Sequence, residues 1–204
     1  MRFLPIALAA ALGLAAAVPA SAQEPRTHRW VHPPSTMPKA GHGDPSAKLD
    51  TLFEALKIAP DEESAKAIEE RIWAIWMVSG SDTTNLLMSR VKAATDDKDY
   101  DLALKLLGAV IAINPRYVEA WNQRATVYYQ KKDFGDALAD IREVLVREPR
   151  HFGALSGLGM IMQDMGDDKR ALDAFRKALD INPHLEKLPE LVKTLSEKVE
   201  GRDI

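Results

Sequence analysis

Three prolines, Pro115, Pro149 and Pro183, recur every 34 residues in a chain of 204. A fixed period of this length marks a stacked repeat, in which one supersecondary unit cannot bury its apolar face alone and neighbours must cover it. The register defines three blocks, 84–117, 118–151 and 152–185. Within each block, apolar residues return at three- and four-residue spacing in two separate stretches, which predicts two amphipathic helices per block. Position 8 is Val91, Ala125 and Gly159, position 20 is Ala103, Ala137 and Ala171, and position 27 is Val110, Val144 and Ala178. Small side chains at the first two positions let the paired helices cross closely, because a larger group would push their axes apart.

The helix ends are also written in the register. Position 16 is Asp99, Asp133 and Asp167, a residue type that accepts from free amides at a helix start. The proline at position 32 ends the second helix, because its ring disfavours helical geometry in the residue before it. Position 15 is Lys98, Lys132 and Gly166, so two of the three internal turns lack the residue that best tolerates positive φ.

Outside the blocks the chain changes character. Arg2 is followed by an apolar run from Leu4 to Val18 and then Pro19-Ala20-Ser21-Ala22. This is the layout of a secretory signal peptide over residues 1–22, cut between Ala22 and Gln23. The expected location is therefore the periplasm, with no membrane insertion after cleavage, since a span needs about 20 apolar residues. Residues 23–47 carry Pro25, Pro33, Pro34, Pro38 and Pro45 with no helical or strand period, and read as a disordered linker. Trp30 and Val31 are apolar exceptions in that arm. They leave two readings open: a plain spacer, or a segment that folds back as a weak internal ligand.

Residues 48–83 predict a helical hairpin without the repeat signature, its second helix capped by Asp61 and carrying Ile72, Ile75 and Trp76. After the last proline, Leu188, Leu191, Val192, Leu195 and Val199 form an apolar stripe over the segment 186–204. Such a helix suits the role of a cap on the final repeat, with Pro189 in its first turn. A short array of this kind needs unlike caps at both ends.

The chain has no cysteine, which excludes disulfides, thiol catalysis and cysteine-ligated metal. Its net charge of -3 becomes -4 once Arg2 leaves with the signal, and offers no electrostatic footprint for nucleic acid or an anionic membrane. His28, His32 and His42 lack a rigid ligand scaffold. Asp97, Asp99 and Asp101 imitate a calcium loop, but Leu102 and Gly108 stand where glycine and glutamate are needed. Gly157-x-Gly159 lies inside a helix and reads as small-residue packing. His151 and His184 follow repeat-ending prolines without a catalytic companion, so neither an enzyme nor a cofactor is expected.

The blocks resemble the tetratricopeptide repeat. The second copy carries this most strongly through Trp121, Ala125, Tyr128, Phe134, Ala137 and Pro149, and the third through Leu155, Gly159, Ala171, Phe175, Ala178 and Pro183. The first keeps Tyr100, Ala103 and Pro115 but has Arg90, Val91 and Ala94 where leucine, glycine and tyrosine are usual. The resemblance implies an all-α, right-handed α-solenoid of helix-turn-helix repeats, here with a degenerate N-terminal hairpin and a C-terminal capping helix. It also implies a non-catalytic module binding a protein or peptide partner of the cell envelope in a concave groove, as an adaptor or assembly factor. Carried over by position, the partner-binding residues are Asn85, Met88 and Lys92, then Asn122, Thr126 and Tyr129, then Met160 and Gln163. The lysine, asparagine and arginine clamp that some members close on a C-terminal carboxylate is missing, because its positions hold Met88, Lys92, Gln123, Gly153 and Gly157. Arg124 with Asp140, sixteen residues on, implies a local ion pair. The alternative function is a structural subunit that associates with copies of itself.

Overall fold

The computed structural model describes Trp30, Val31, Pro33 and residues 45–201. The signal peptide, His28, His32, His42 and most of the linker lie outside the described residues. Among those described there are nine helices and no strand: α1 (Pro45–Lys57), α2 (Glu62–Trp76), α3 (Asp82–Asp96), α4 (Tyr100–Ile113), α5 (Val118–Gln130), α6 (Phe134–Arg147), α7 (Phe152–Asp164), α8 (Asp168–Ile181) and α9 (Leu188–Val199). Helices α3 to α8 form three antiparallel pairs stacked in chain order, an all-α helical repeat.

One turn design serves all three pairs. The amide of the position-16 aspartate donates back to the preceding helix, Asp99 to Ala94 at 2.8 Å, Asp133 to Tyr128 at 2.9 Å and Asp167 to Met162 at 2.8 Å. Its side chain then caps the next helix, accepting from the amides of Leu102, Asp136 and Arg170 at 3.1, 3.3 and 2.9 Å. Closing the first helix this way requires left-handed backbone at position 15. Lys98 and Lys132 adopt it at φ 60° and 62°, beside Gly166 at 82°. Two lysines therefore hold a conformation that costs a side-chain-bearing residue about 1–2 kcal/mol.

Inside each pair, position 8 meets position 24, and their volumes are matched. Val91 goes with Leu107, Ala125 with Ile141, and Gly159 with Phe175, all buried. In the third pair the ring leaves no room for a Cβ: one built on Gly159 would fall 2.3 Å from Phe175 Cε1. Close-packed interiors force such compensation, since one enlarged partner must be answered by a smaller one. Arg124 and Asp140 form the expected pair, bidentate at 2.7 Å for both bonds. Trp121 and Tyr128 lie under the guanidinium at 5.0 and 5.9 Å.

At the C-terminal end, α9 covers α8 with Leu188 and Leu195 buried. Pro189 occupies its first turn, where no intrahelical amide is lost. Arg176 holds the far end through both carboxylate oxygens of Glu200 and through Ser196 Oγ, and Lys198 pairs with Asp168.

The N-terminal hairpin departs from the expected cap. It is not stacked in front of α3 as one more pair. Instead α2 runs along the edge formed by the three connections between and after the repeats. Glu69 accepts from Asn182 Nδ2 at 2.9 Å beyond the third repeat, and Trp73 and Trp76 pack on His151 and Phe152 between the second and third. The chain after α2 is then held at the first connection, where Met77 and Ser79 carbonyls accept from Tyr117 Oη at 3.2 Å and Asn114 Nδ2 at 3.1 Å. The physical reason is the size of the apolar face. Ile72, Trp73 and Trp76 are all buried, and a seam between repeats offers the aromatic and glycine surface that accepts them. The core divides accordingly. One cluster joins the hairpin, Trp30, the second and third repeats and α9, and the other joins the first repeat to the facing side of α5.

Candidate partner-binding groove

The eight groove positions fall into two groups. Asn85 and Lys92 on α3 are exposed. Asn85 Oδ1 accepts from Ser79 Oγ at 2.6 Å, and Lys92 pairs with Asp96 one turn on at 2.7 Å. Met88 belongs to the core of the first repeat instead. In the second and third repeats Asn122, Thr126, Tyr129 and Met160 are buried and Gln163 is half-buried. What covers that stretch is the chain itself.

Two residues of the arm account for part of the cover. The Trp30 ring is 3% exposed and lies 5.5 Å from the Tyr129 ring, tilted by 49°. The ring also rests on the bare backbone of Gly157, where a Cβ would come within 2.3 Å of Cζ2. The Val31 carbonyl oxygen approaches Gly153 in the same way, 3.1 Å from the Cβ position, beside Trp73 at 2.9 Å. Gly153 and Gly157 are one helical turn apart on α7, so together they make a smooth track. The glycines that remove the carboxylate clamp are the glycines that admit two indoles. Of the two readings of the arm, the position of Trp30 fits the internal ligand.

Beneath this cover lies a buried polar network. Glu119 accepts from Asn122 Nδ2 at 3.0 Å and meets His151 Nε2 at 3.3 Å. His151 Nδ1 accepts from the Ala154 amide at 3.0 Å, capping α7. An acceptor at Nδ1 places the ring proton on Nε2, so His151 donates to Glu119. Trp76 stacks on the imidazole at 4.2 Å and 9°. At the far end of α5, Tyr129 Oη donates to Asp164 at 3.0 Å, and burial followed by that carboxylate pushes the phenol well above its usual range. Burial likewise pushes Glu69 up, against hydrogen bonds from Asn182 and Trp73. From the sequence His151 stands out only as a residue after a repeat-ending proline without a catalytic companion. The available signal was its site just before an apolar helix, in the capping position.

Several polar atoms in and near the groove find no partner among the described residues: Trp30 Nε1, Trp76 Nε1, Asn122 Oδ1 and Gln163 Oε1. Among the described residues, no three histidine, aspartate or glutamate side chains are placed to hold a metal, and no helix is long and apolar enough to cross a membrane.

The tetratricopeptide repeat profile matches residues 89–145 and 123–186. A TPR repeat-containing protein of Rhizobium etli is 41% identical over 157 residues, 77% of each chain. A heat-shock protein cognate co-chaperone of Aspergillus fumigatus, sgt12, is 28% identical over 142 residues, 68% of this chain but 42% of its own length. Among solved structures, the Sgt2 TPR domain from Aspergillus fumigatus superposes with a TM-score of 0.55 at 26% identity, covering 59% of this chain and 81% of that one. With three pairs in register, the shared turn design and a relative matched over most of its length, the chain belongs to the tetratricopeptide repeat family.

Proposed function

We propose that this protein is a non-catalytic adaptor or assembly factor of the cell envelope, exported by residues 1–22 and working by binding an extended segment or helix of a partner protein along the inner faces of α3, α5 and α7. Tetratricopeptide domains generally mediate protein–protein interaction and are generally non-catalytic scaffolds, and the co-chaperone relative agrees with that use. The observation that carries the reading is that α5 and α7 already hold a piece of the chain's own N-terminal arm. Both a side chain, Trp30, and a backbone carbonyl, Val31, lie against them. A surface that holds its own chain this way has the shape and chemistry to hold another. The open stretch is on α3, where Asn85 offers an amide and Lys92 a cation to a partner entering from the first repeat.

Affinity capture from an envelope extract tests the groove, comparing wild type with Asn85→Ala/Lys92→Glu. These side chains are exposed, so the variant keeps its fold. Loss of a specific partner from the variant is the expected result, and equal recovery of every partner would sink the assignment. Cell fractionation with N-terminal sequencing tests export. A mature chain beginning at Gln23 in the periplasm is expected, and an intact Met1 in the cytoplasm rules the location out.

A further inference from the structure

The arm's contact with the groove is specific in shape yet incomplete in hydrogen bonding. Gly157 presents bare backbone to the indole, and the Tyr129 ring borders it at 5.5 Å, tilted by 49°. Together they leave a slot that an aromatic side chain fills. Yet among the described residues the buried indole N–H finds no acceptor, and Asn122 Oδ1 and Gln163 Oε1 in the same groove find no donor. A donor taken from water without a partner weakens the docking it belongs to. The acceptors are suited to backbone amides that this arm does not bring.

We infer that Trp30 is a displaceable plug, and that the partner of this groove is an extended segment which puts an aromatic side chain of its own against Gly157 and Tyr129. The inference rests on the groove being the working surface, and it adds a gate and a specificity to it. Trp30 stands fifteen positions before the start of α1 in the same chain. A ligand carried on the same chain competes at an effective concentration on the order of millimolar. A weak self-contact is then enough to exclude casual ligands, whereas a partner that also satisfies Asn122 and Gln163 outcompetes it. A merely structural tryptophan would stabilise the fold without suppressing binding.

The experiment uses the full mature chain and a labelled peptide of residues 26–36 as the probe, read by fluorescence anisotropy. The Trp30→Ala chain should bind it about tenfold more tightly than wild type or better, and the same peptide carrying alanine for Trp30 should bind neither. Gly157→Ala added to the Trp30→Ala chain should abolish binding, because the new Cβ fills the slot. Equal affinity for wild type and Trp30→Ala, or no binding to a Trp30→Ala chain that still melts cooperatively, overturns the inference. If Trp30→Ala does not fold, Gly157→Ala in the otherwise wild-type chain decides. Expelling the ring should speed tryptic cleavage after Arg29, and an unchanged rate overturns the plug. These outcomes stand apart from the envelope capture with Asn85 and Lys92, which can succeed or fail whatever the peptide does.

Discussion

Replacing Gly159 by alanine separates helix propensity from packing in the third repeat. A Cβ at this position would lie 2.3, 2.4 and 2.7 Å from Phe175 Cε1, Cδ1 and Cζ. Carbon atoms settle at about 3.5–4.0 Å, so the ring would have to retreat by roughly 1 Å. Phe175 is fully buried and has no open space to retreat into, and overpacking of this kind costs about 1–3 kcal/mol. Against that stands the gain of alanine over glycine in a helix, about 1 kcal/mol. The net expectation runs from neutral to a loss of about 2 kcal/mol. Gly108 supplies the control, because it is helical and a Cβ there meets nothing within 4 Å. Gly108→Ala should therefore show the propensity gain alone, about 1 kcal/mol of stabilisation. Urea unfolding followed by circular dichroism measures both. The double variant Gly159→Ala/Phe175→Ile recreates the Ala125 and Ile141 pair of the second repeat and should recover much of the loss, with a favourable coupling on the order of 1–3 kcal/mol. Gly159→Ala stabilising as much as Gly108→Ala, or an additive cycle, would refute the volume matching of positions 8 and 24.

Three further perturbations have defined outcomes. Lys98→Gly relieves a left-handed lysine at φ 60° and should stabilise by about 0.5 kcal/mol after the added freedom of the unfolded chain is subtracted. Lys132→Gly should gain less, because Lys132 Nζ also binds Asp164 at 3.0 Å and lies over Tyr129; thermal midpoints compare them. Arg124→Ala leaves Asp140 buried without its cation and should cost roughly 3 kcal/mol at neutral pH, the low end of such losses because the Arg124 side chain is 21% exposed. Even in the intact pair, burial outweighs Arg124 and holds Asp140 above its usual value. Acidification that neutralises Asp140 should therefore shrink the Arg124→Ala deficit, and a deficit constant from pH 4 to 7 contradicts the assignment. Glu69 is also raised, by burial first, with Glu70 adding and Lys66 opposing. A carboxyl that holds its proton more tightly when folded contributes stability at low pH that is lost as pH rises from its ordinary value of 4.5 through the raised one. Wild type should lose stability relative to Glu69→Gln across that window, measured by urea midpoints at stepped pH, and parallel profiles would remove Glu69 from the account.

Much of this molecule could be read from neighbours in sequence. The position-16 aspartates cap helices three residues away, the proline period sets the helix ends, and the apolar stripes of α4, α6 and α8 are visible as spacing. Arg124 and Asp140 were legible for a related reason, since one hairpin turn brings residues sixteen apart together. The groove was legible only as a set of positions. Its state was not, because burial of Asn122, Thr126, Tyr129 and Met160 depends on what lies on top of them.

The sequence by itself therefore determined the repeat, its register, its turns and the pairing of its helices, because each rests on periodicity and on contacts within one 34-residue unit. Tertiary structure alone decided that α2 runs along the repeat edge and does not cap α3, that His151 is a buried partner of Glu119, and that Trp30 occupies the groove. Those contacts join residues far apart in the chain, with Glu69 and Asn182 separated by 113 positions and Asp50 and Arg150 by 100. No local period encodes them. They arise because two large apolar faces, the tryptophans of the N-terminal segments and the glycine track of α7, find in each other a better cover than water.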